Sequence, residues 1–104
     1  MRRAHWEAST LVTNEWQVEK DILAYLARKG ILAWPTHGPR NRPTVPGVPD
    51  IIGIAPGGRM IAIEVKAEDG IVSEAQEAFH RALYRNGCRV LVARSLDDVI
   101  AAGV

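Results

Sequence analysis

Three charged residues stand where two apolar strands and a turn would need none. Residues 47–66 read Gly-Val-Pro-Asp-Ile-Ile-Gly-Ile-Ala-Pro-Gly-Gly-Arg-Met-Ile-Ala-Ile-Glu-Val-Lys, so Asp50, Glu64 and Lys66 lie within one hairpin. On a strand Glu64 and Lys66 are two apart and point to the same face. Two carboxylates and an ammonium gathered there suggest a metal-dependent phosphodiester chemistry.

That idea makes a demand on register. If Gly57-Gly58 alone formed the turn, Asp50 would pair with Val65 and face away from Glu64. Asp50 shares Glu64's face only if the loop has an odd residue count, as in a three-residue turn with a bulge, or if the strand is bulged near Asp50. An irregularity between Pro49 and Met60 is therefore expected.

The elements that must position this hairpin follow in chain order. Residues 1–13 have no clean period and read as a flexible or partner-docked arm, ahead of a single domain over 14–104. Asn14 with Gln17 resembles a capping box, predicting a helix over 15–29 that stops at Gly30. Val18, Ile22, Leu23, Tyr25 and Leu26 form its apolar arc. Glu19 falls inside that arc. It is either a carboxylate at the end of the stripe reaching out to water, or one that binds a cation. Glu15 reads as a first-turn acid favoured by the helix dipole.

Residues 31–34 make a short strand stopped by Pro35. The stretch 36–49 carries Pro39, Pro43, Pro46 and Pro49 and cannot be regular structure. Between Asp21 and Asp50 there is no acid, while Arg28, Lys29, His37, Arg40 and Arg42 are basic or titratable. A basic loop running into Asp50 suits a phosphate backbone beside a metal site, with His37, Arg40 and Arg42 as its contacts. Ser73 with Gln76 caps a second helix, whose stripe is Ala75, Ala78, Phe79, Ala82 and Leu83. Residues 88–93 read as an internal strand, and Ser95 caps a short last helix. A helix between the hairpin and the last strand implies a crossover, hence an α/β fold with a mixed sheet.

Composition sets outer bounds. At 104 residues there is room for one modest core. A net charge of +1 gives no global pull toward nucleic acid, so such binding must rest on local placement. No apolar run is long enough to cross a bilayer, so no membrane partner is expected. The single Cys88 excludes an internal disulfide and fits a reducing, cytoplasmic setting.

Gly47-Val48-Pro49-Asp50, a 13-residue gap, then Glu64-Val65-Lys66 resembles the active-site motif of the PD-(D/E)xK nuclease superfamily. Glu19 ahead of Ile22 and Leu26, Gly30, the Gly-Val-Pro-Asp form and Gln76 at the head of the next helix narrow the resemblance to the VRR-NUC nuclease domain. The small stand-alone form of phages and bacteria is the nearest pattern, over about 19–95. The resemblance implies a restriction-endonuclease-like core in the order α-β-β-β-α-β-α, with a mixed central sheet flanked by helices. It implies a metal-dependent DNA endonuclease in which Asp50, Glu64 and the Val65 carbonyl hold Mg²⁺, or Mn²⁺ in its place. Glu19 would reach the cation directly or through water. Lys66 would orient the attacking water and offset charge on the phosphorane, and Gln76 would complete the site. No small-molecule cofactor is implied, and the location is the cytoplasm, the host's if phage-encoded. His5, His37 and His80 read as surface residues or phosphate contacts.

Stand-alone relatives act on branched DNA, and symmetric cleavage of a four-way (Holliday) junction needs two sites. One domain has one site, so a homodimer is implied, with Trp6, Leu11, Val12 and Trp16 as candidate contacts. Alternatives are a flap, single-strand or restriction-like endonuclease, or a non-catalytic DNA-binding module on the same fold. A plain α/β scaffold would leave Glu19, Asp50 and Glu64 unexplained.

Overall fold

The computed structural model describes residues 3–38 and 45–104, with backbone alone before Glu15. Its elements are α1 (Arg3–Arg28), β1 (Leu32–Pro35), β2 (Ile51–Ile54), β3 (Met60–Val65), α2 (Glu74–Arg85), β4 (Arg89–Ala93) and α3 (Leu96–Ala101). The four strands make one sheet in the order β1-β2-β3-β4. β1, β2 and β3 are antiparallel neighbours, and β3 and β4 run parallel. The expected α/β order and mixed sheet are what the chain adopts.

The period-2 pattern of β3 sorts the layers. Ile61, Ile63 and Val65 face α1 and α3, where they pack with Ile51, Val18, Ile22, Leu26 and Val99. Ala62 faces the other way, with Ile52, Cys88 and Leu83 of α2. α1 ends by the physics expected of Gly30: at φ 77 it takes the left-handed conformation. The Gly30 and Ile31 N–H groups then donate back to the Ala27 and Leu26 carbonyls, at 3.1 and 2.9 Å. At the other end of the chain Tyr25 Oη donates to the Val104 carbonyl, 2.8 Å away, which ties α1 to the C-terminus.

Four expectations are corrected. α1 begins at Arg3, not near Glu15, so residues 3–13 continue the helix and Asn14 caps nothing. Gln17 instead donates along the helix to Asp21 at 2.9 Å. Glu15 is consequently mid-helix, and its carboxylate accepts from the Ala67 N–H at 3.1 Å, holding the segment after Lys66. β4 is an edge strand: Val90 on one face and Leu91 on the other are half-buried, Ala93 is buried and Val92 is exposed. α2 buries none of its residues; only Phe79 and Leu83 of the expected stripe are even half-buried, because the helix rides over the sheet's β4 side and leaves Leu32, Trp34, Ile54 and Met60 exposed.

The demand on the hairpin is met. Ile54 pairs with Met60 and Ile51 with Ile63, so the next step of the register sets Asp50 opposite Glu64. The loop 55–59 has an odd count, closed by Ala55 N–H to the Arg59 carbonyl and Gly58 N–H to the Ala55 carbonyl, both 2.9 Å. Pro56 supplies the fixed φ at the first corner, and Gly57 and Gly58 the positive values of 96 and 92 that follow.

Gly47 does for the other side of Asp50 what the turn does for the hairpin. Its φ is 82, and a Cβ there would stand 2.4 Å from the Ala75 carbonyl oxygen and 3.2 Å from the Gln76 nitrogen. The loop before Asp50 therefore lies directly on the first turn of α2. Gly57 has a comparable φ of 96 but open space around it. Gly57→Ala should cost about 1 kcal/mol, the backbone strain alone. Gly47→Ala, adding overlap with helix backbone, should cost about 3 kcal/mol or more in urea denaturation. Equal losses would show that the Gly47 contact contributes nothing.

Candidate active site

Asp50 sits at the mouth of β2, where the loop becomes strand. Its Oδ2 accepts from the Val65 N–H at 2.8 Å, so the side chain reaches across to β3. Thr36, just past β1, clamps the same point: its N–H donates to the Asp50 carbonyl at 2.9 Å and its Oγ1 to the Pro49 carbonyl at 2.6 Å. Pro49 is buried beneath them.

Glu64 is 2% exposed, and among the described residues it is the single buried charged side chain. α2 supplies both of its neighbours from one helix face, four residues apart. Gln76 Nε2 donates to Glu64 Oε2 at 3.2 Å, and His80 Nε2 lies 3.2 Å from Oε1. Burial first, and then the adjacent Asp50 carboxylate, push the Glu64 carboxyl from 4.5 up to about 9, while Lys66 pulls the other way. Burial also lowers His80 below its ordinary value, helped by Lys66. A neutral carboxyl beside a neutral imidazole leaves one proton between Oε1 and Nε2, and no unpaired charge inside.

Gln76 caps α2 and also contacts Glu64. Its Oε1 accepts from the Ser73 N–H at 2.9 Å and its backbone N–H donates to Ser73 Oγ at 3.1 Å, which completes the capping box. The same side chain's Nε2 is thereby aimed at Glu64.

Glu19 reaches the site from the opposite face of the sheet. Its Oε1 lies 2.9 Å from His37 Nε2, and His37 Nε2 lies 3.8 Å from Asp50 Oδ1. Of the two readings of Glu19, the geometry puts it with the pocket, not in open water. Burial opposes a charge on His37, but the hydrogen bond and charge of Glu19, with Asp50 behind them, raise its pKa overall. Lys66, half-buried, follows Glu64 on the same face, and its ammonium is near enough to act on both Glu64 and His80. The Arg94 guanidinium holds the segment after Lys66 through the Ala67, Glu68 and Gly70 carbonyls.

The structure thus brings together Glu19, Asp50, Glu64, Lys66 and Gln76. The Val65 residue enters through its N–H; a role for its carbonyl is a proposal. Arg40 and Arg42 lie outside the described residues. The open surface expected for His37 and His80 is corrected, since their side chains are only 17% and 13% exposed; a phosphate contact by His37 is a proposal. For His80 a signal existed, since it follows Gln76 by one helical turn. For His37 there was none, because a loop has no period to say which way a side chain turns.

The donor chemistry fits a divalent cation: two hard carboxylates stand opposite one another on adjacent strands, and a cation there would displace the proton that burial, and then the Asp50 charge, favour on Glu64. A carboxyl raised in the folded state stabilises the fold fully below its unfolded value, and that contribution is lost as pH rises toward the folded value. Without divalent cations, melting temperature should therefore fall between pH 5 and 9 by about 5 °C or more. Glu64→Gln should flatten that fall in scanning fluorimetry. Parallel curves for the two proteins would contradict the assignment.

The VRR-NUC domain model matches residues 2–97, extending beyond 19–95 to take in the N-terminal half of α1. A solved structure described as a VRR_NUC domain superposes with a TM-score of 0.69 at 26% identity, over 85% of this chain and 91% of that one. No curated protein matches the chain. The Glu19, Asp50 and Glu-x-Lys arrangement, the sheet order and the family match agree, and this chain belongs to the VRR-NUC family of nuclease domains.

Proposed function

We propose that the domain is a divalent-metal-dependent DNA endonuclease selective for branched DNA, resolving four-way junctions as a homodimer. A nuclease acting on DNA is what the family implies. The observation that carries the metal dependence is the Asp50–Glu64 pairing, which sets two carboxylates together on buried strand ends beside Lys66. Asp50, Glu64 and the Val65 carbonyl would hold Mg²⁺, or Mn²⁺ in its place, with Glu19 reaching it directly or through water. When bound, the cation neutralises the scissile phosphate and lowers the pKa of the attacking water.

The protein's own groups do the rest. Gln76 and His80 grip one oxygen each of Glu64 and fix the plane of its carboxylate. The Val65 N–H fixes Asp50. Lys66 orients the water and offsets the negative charge that builds on the phosphorane as the water adds to phosphorus, before the P–O bond to the leaving strand breaks. Arg40 and Arg42 on the loop preceding Asp50 would track the phosphate backbone.

Support for a dimer comes from uncovered apolar surface. Leu32, Ile54 and Met60 align across three strands, with Trp34 beside them, on the sheet face that α2 leaves bare. They are 67%, 39%, 40% and 42% exposed. Trp16 on α1, one of the contacts foreseen, is exposed as well. Trp6, Leu11 and Val12 remain candidates on the same helix.

Cleavage of duplex, flap, single-stranded and four-way-junction DNA would be compared with Mg²⁺, Mn²⁺ or EDTA. Asp50→Ala and Lys66→Ala should each lower the rate by about 10²-fold or more, and EDTA should abolish it. Cutting indifferent to both variants and to chelation would overturn the nuclease assignment. DNA bound but never cut would point to a binding module. For assembly, light scattering should give a dimer, and Leu32→Lys a monomer that no longer cuts junctions symmetrically. A wild-type monomer at working concentration would remove junction resolution.

A further inference from the structure

Asp50 divides its two oxygens. Oδ2 accepts from the Val65 N–H, while Oδ1 lies 3.8 Å from His37 Nε2. Glu64 is taken up by α2 through Gln76 and His80. On the other side of Asp50 stand Glu19 and His37. One donor atom from each of Glu19, His37 and Asp50 can be chosen so that all lie within 4.8 Å of one another.

Those spacings have the size of a coordination sphere. With metal–ligand bonds of about 2.1 Å, neighbouring donors lie about 3.0 Å apart around an octahedral ion and about 3.4 Å apart around a tetrahedral one. The observed Glu19–His37 and His37–Asp50 separations are 2.9 and 3.8 Å. The placement of His37 is built, not incidental. Thr36 is lashed to Pro49 and Asp50 through side chain and backbone together, so the residue that follows it must leave β1 directly above Asp50. α1 meets it there with Glu19, whose neighbour Val18 and next-turn Ile22 anchor the helix in the core.

We propose that Glu19, His37 and Asp50 form a site for a first-row transition cation, with His37 Nε2 as a ligand. One imidazole nitrogen with two carboxylate oxygens is a softer donor set than oxygens alone. Imidazole ligands suit Co²⁺, Ni²⁺ and Zn²⁺, whereas Mg²⁺ favours oxygen and keeps its waters. The site shares Asp50 and Glu19 with the proposed Mg²⁺ position, adds His37, and uses neither Glu64 nor Lys66. His37 thus makes the pocket discriminate between cations. A simple ion pair of His37 with Glu19 and Asp50 has the same apo geometry, and metal binding separates the two.

The measurement uses the full chain without DNA. Co²⁺ binding is followed by its visible d–d absorption, and Mg²⁺ by its competition with Co²⁺. Wild type should bind Co²⁺ at least about tenfold more tightly than Mg²⁺. His37→Ala and His37→Gln should weaken Co²⁺ about tenfold or more and leave Mg²⁺ within about twofold, with circular dichroism unchanged. On Co²⁺ loading, wild type should show a hyperfine-shifted exchangeable imidazole N–H proton in NMR that His37→Gln lacks and His80→Gln keeps. The absence of that proton needs only the wild-type fold to be seen, so it decides against the site even where a variant is unstable. Unchanged Co²⁺ affinity in both His37 variants, or a Co²⁺ spectrum with no shifted imidazole proton, would overturn the site and leave the ion pair. Cleavage is not the readout, so that result would not bear on the nuclease reading, which rests on the Asp50–Glu64 pair beside Lys66.

Discussion

Everything at this site follows from putting Asp50 and Glu64 opposite each other on neighbouring strands. Two carboxylates at that distance cannot both be charged in a buried place without a cation between or beside them. The protein does not avoid the conflict; it holds it. Glu64 sits at 2% exposure with its pKa near 9, and Gln76 and His80 meet its two oxygens, which makes such a carboxyl tolerable. A pair of hydrophobic residues there would pack as well and more stably. The cost to the fold is evidence of use.

The layers explain how so small a chain can hold that pair. α1 and α3 cover one face of the sheet and supply nearly all of its core, so α2 is relieved of burying anything deeply. It is free to lie across the β4 side with its first turns over Glu64. Gly47 makes this approach possible by letting the loop before Asp50 run against α2's backbone. Glu15 and Arg94 then fasten the segment that leaves Lys66, from α1 and from the end of β4 respectively. Each flank of the Asp50–Glu64 pair is therefore tied to a different helix or strand, and the site closes where the two layers meet.

The element order, the mixed sheet and the odd-numbered turn were legible because each is dictated locally: apolar period, crossover length, and the parity needed for two side chains to share a face. What local reasoning missed is tertiary in origin. Residues 3–13 have no amphipathic pattern, yet they continue α1, so a capping signal at Asn14 was outweighed by helix continuity. The run 88–93 looks internal because it is apolar, but two helices covering an edge strand produce the same composition. His37 and His80 could not be placed, since a lone histidine in a loop or on a mostly polar helix points wherever packing sends it. Glu19 was half legible: its position on the apolar arc marked it as unusual, and only the turn of His37 toward it shows what it meets.

Gln76 and Asp50 share a device that sequence alone poses as a choice. Gln76 was readable as a cap or as a site residue, as though one use excluded the other. In the structure one end of its amide is spent on the Ser73 backbone, which leaves the other end no freedom but to face Glu64. Asp50 spends Oδ2 on the Val65 N–H in the same way, and Oδ1 is thereby presented. A two-headed polar side chain anchored by one head on main chain loses its rotamer entropy on folding, before any ligand arrives. The second head then meets its partner already oriented, and binding does not have to supply that ordering. In a domain with so small a core, structural and functional contacts are made by the same side chains because few others are at hand.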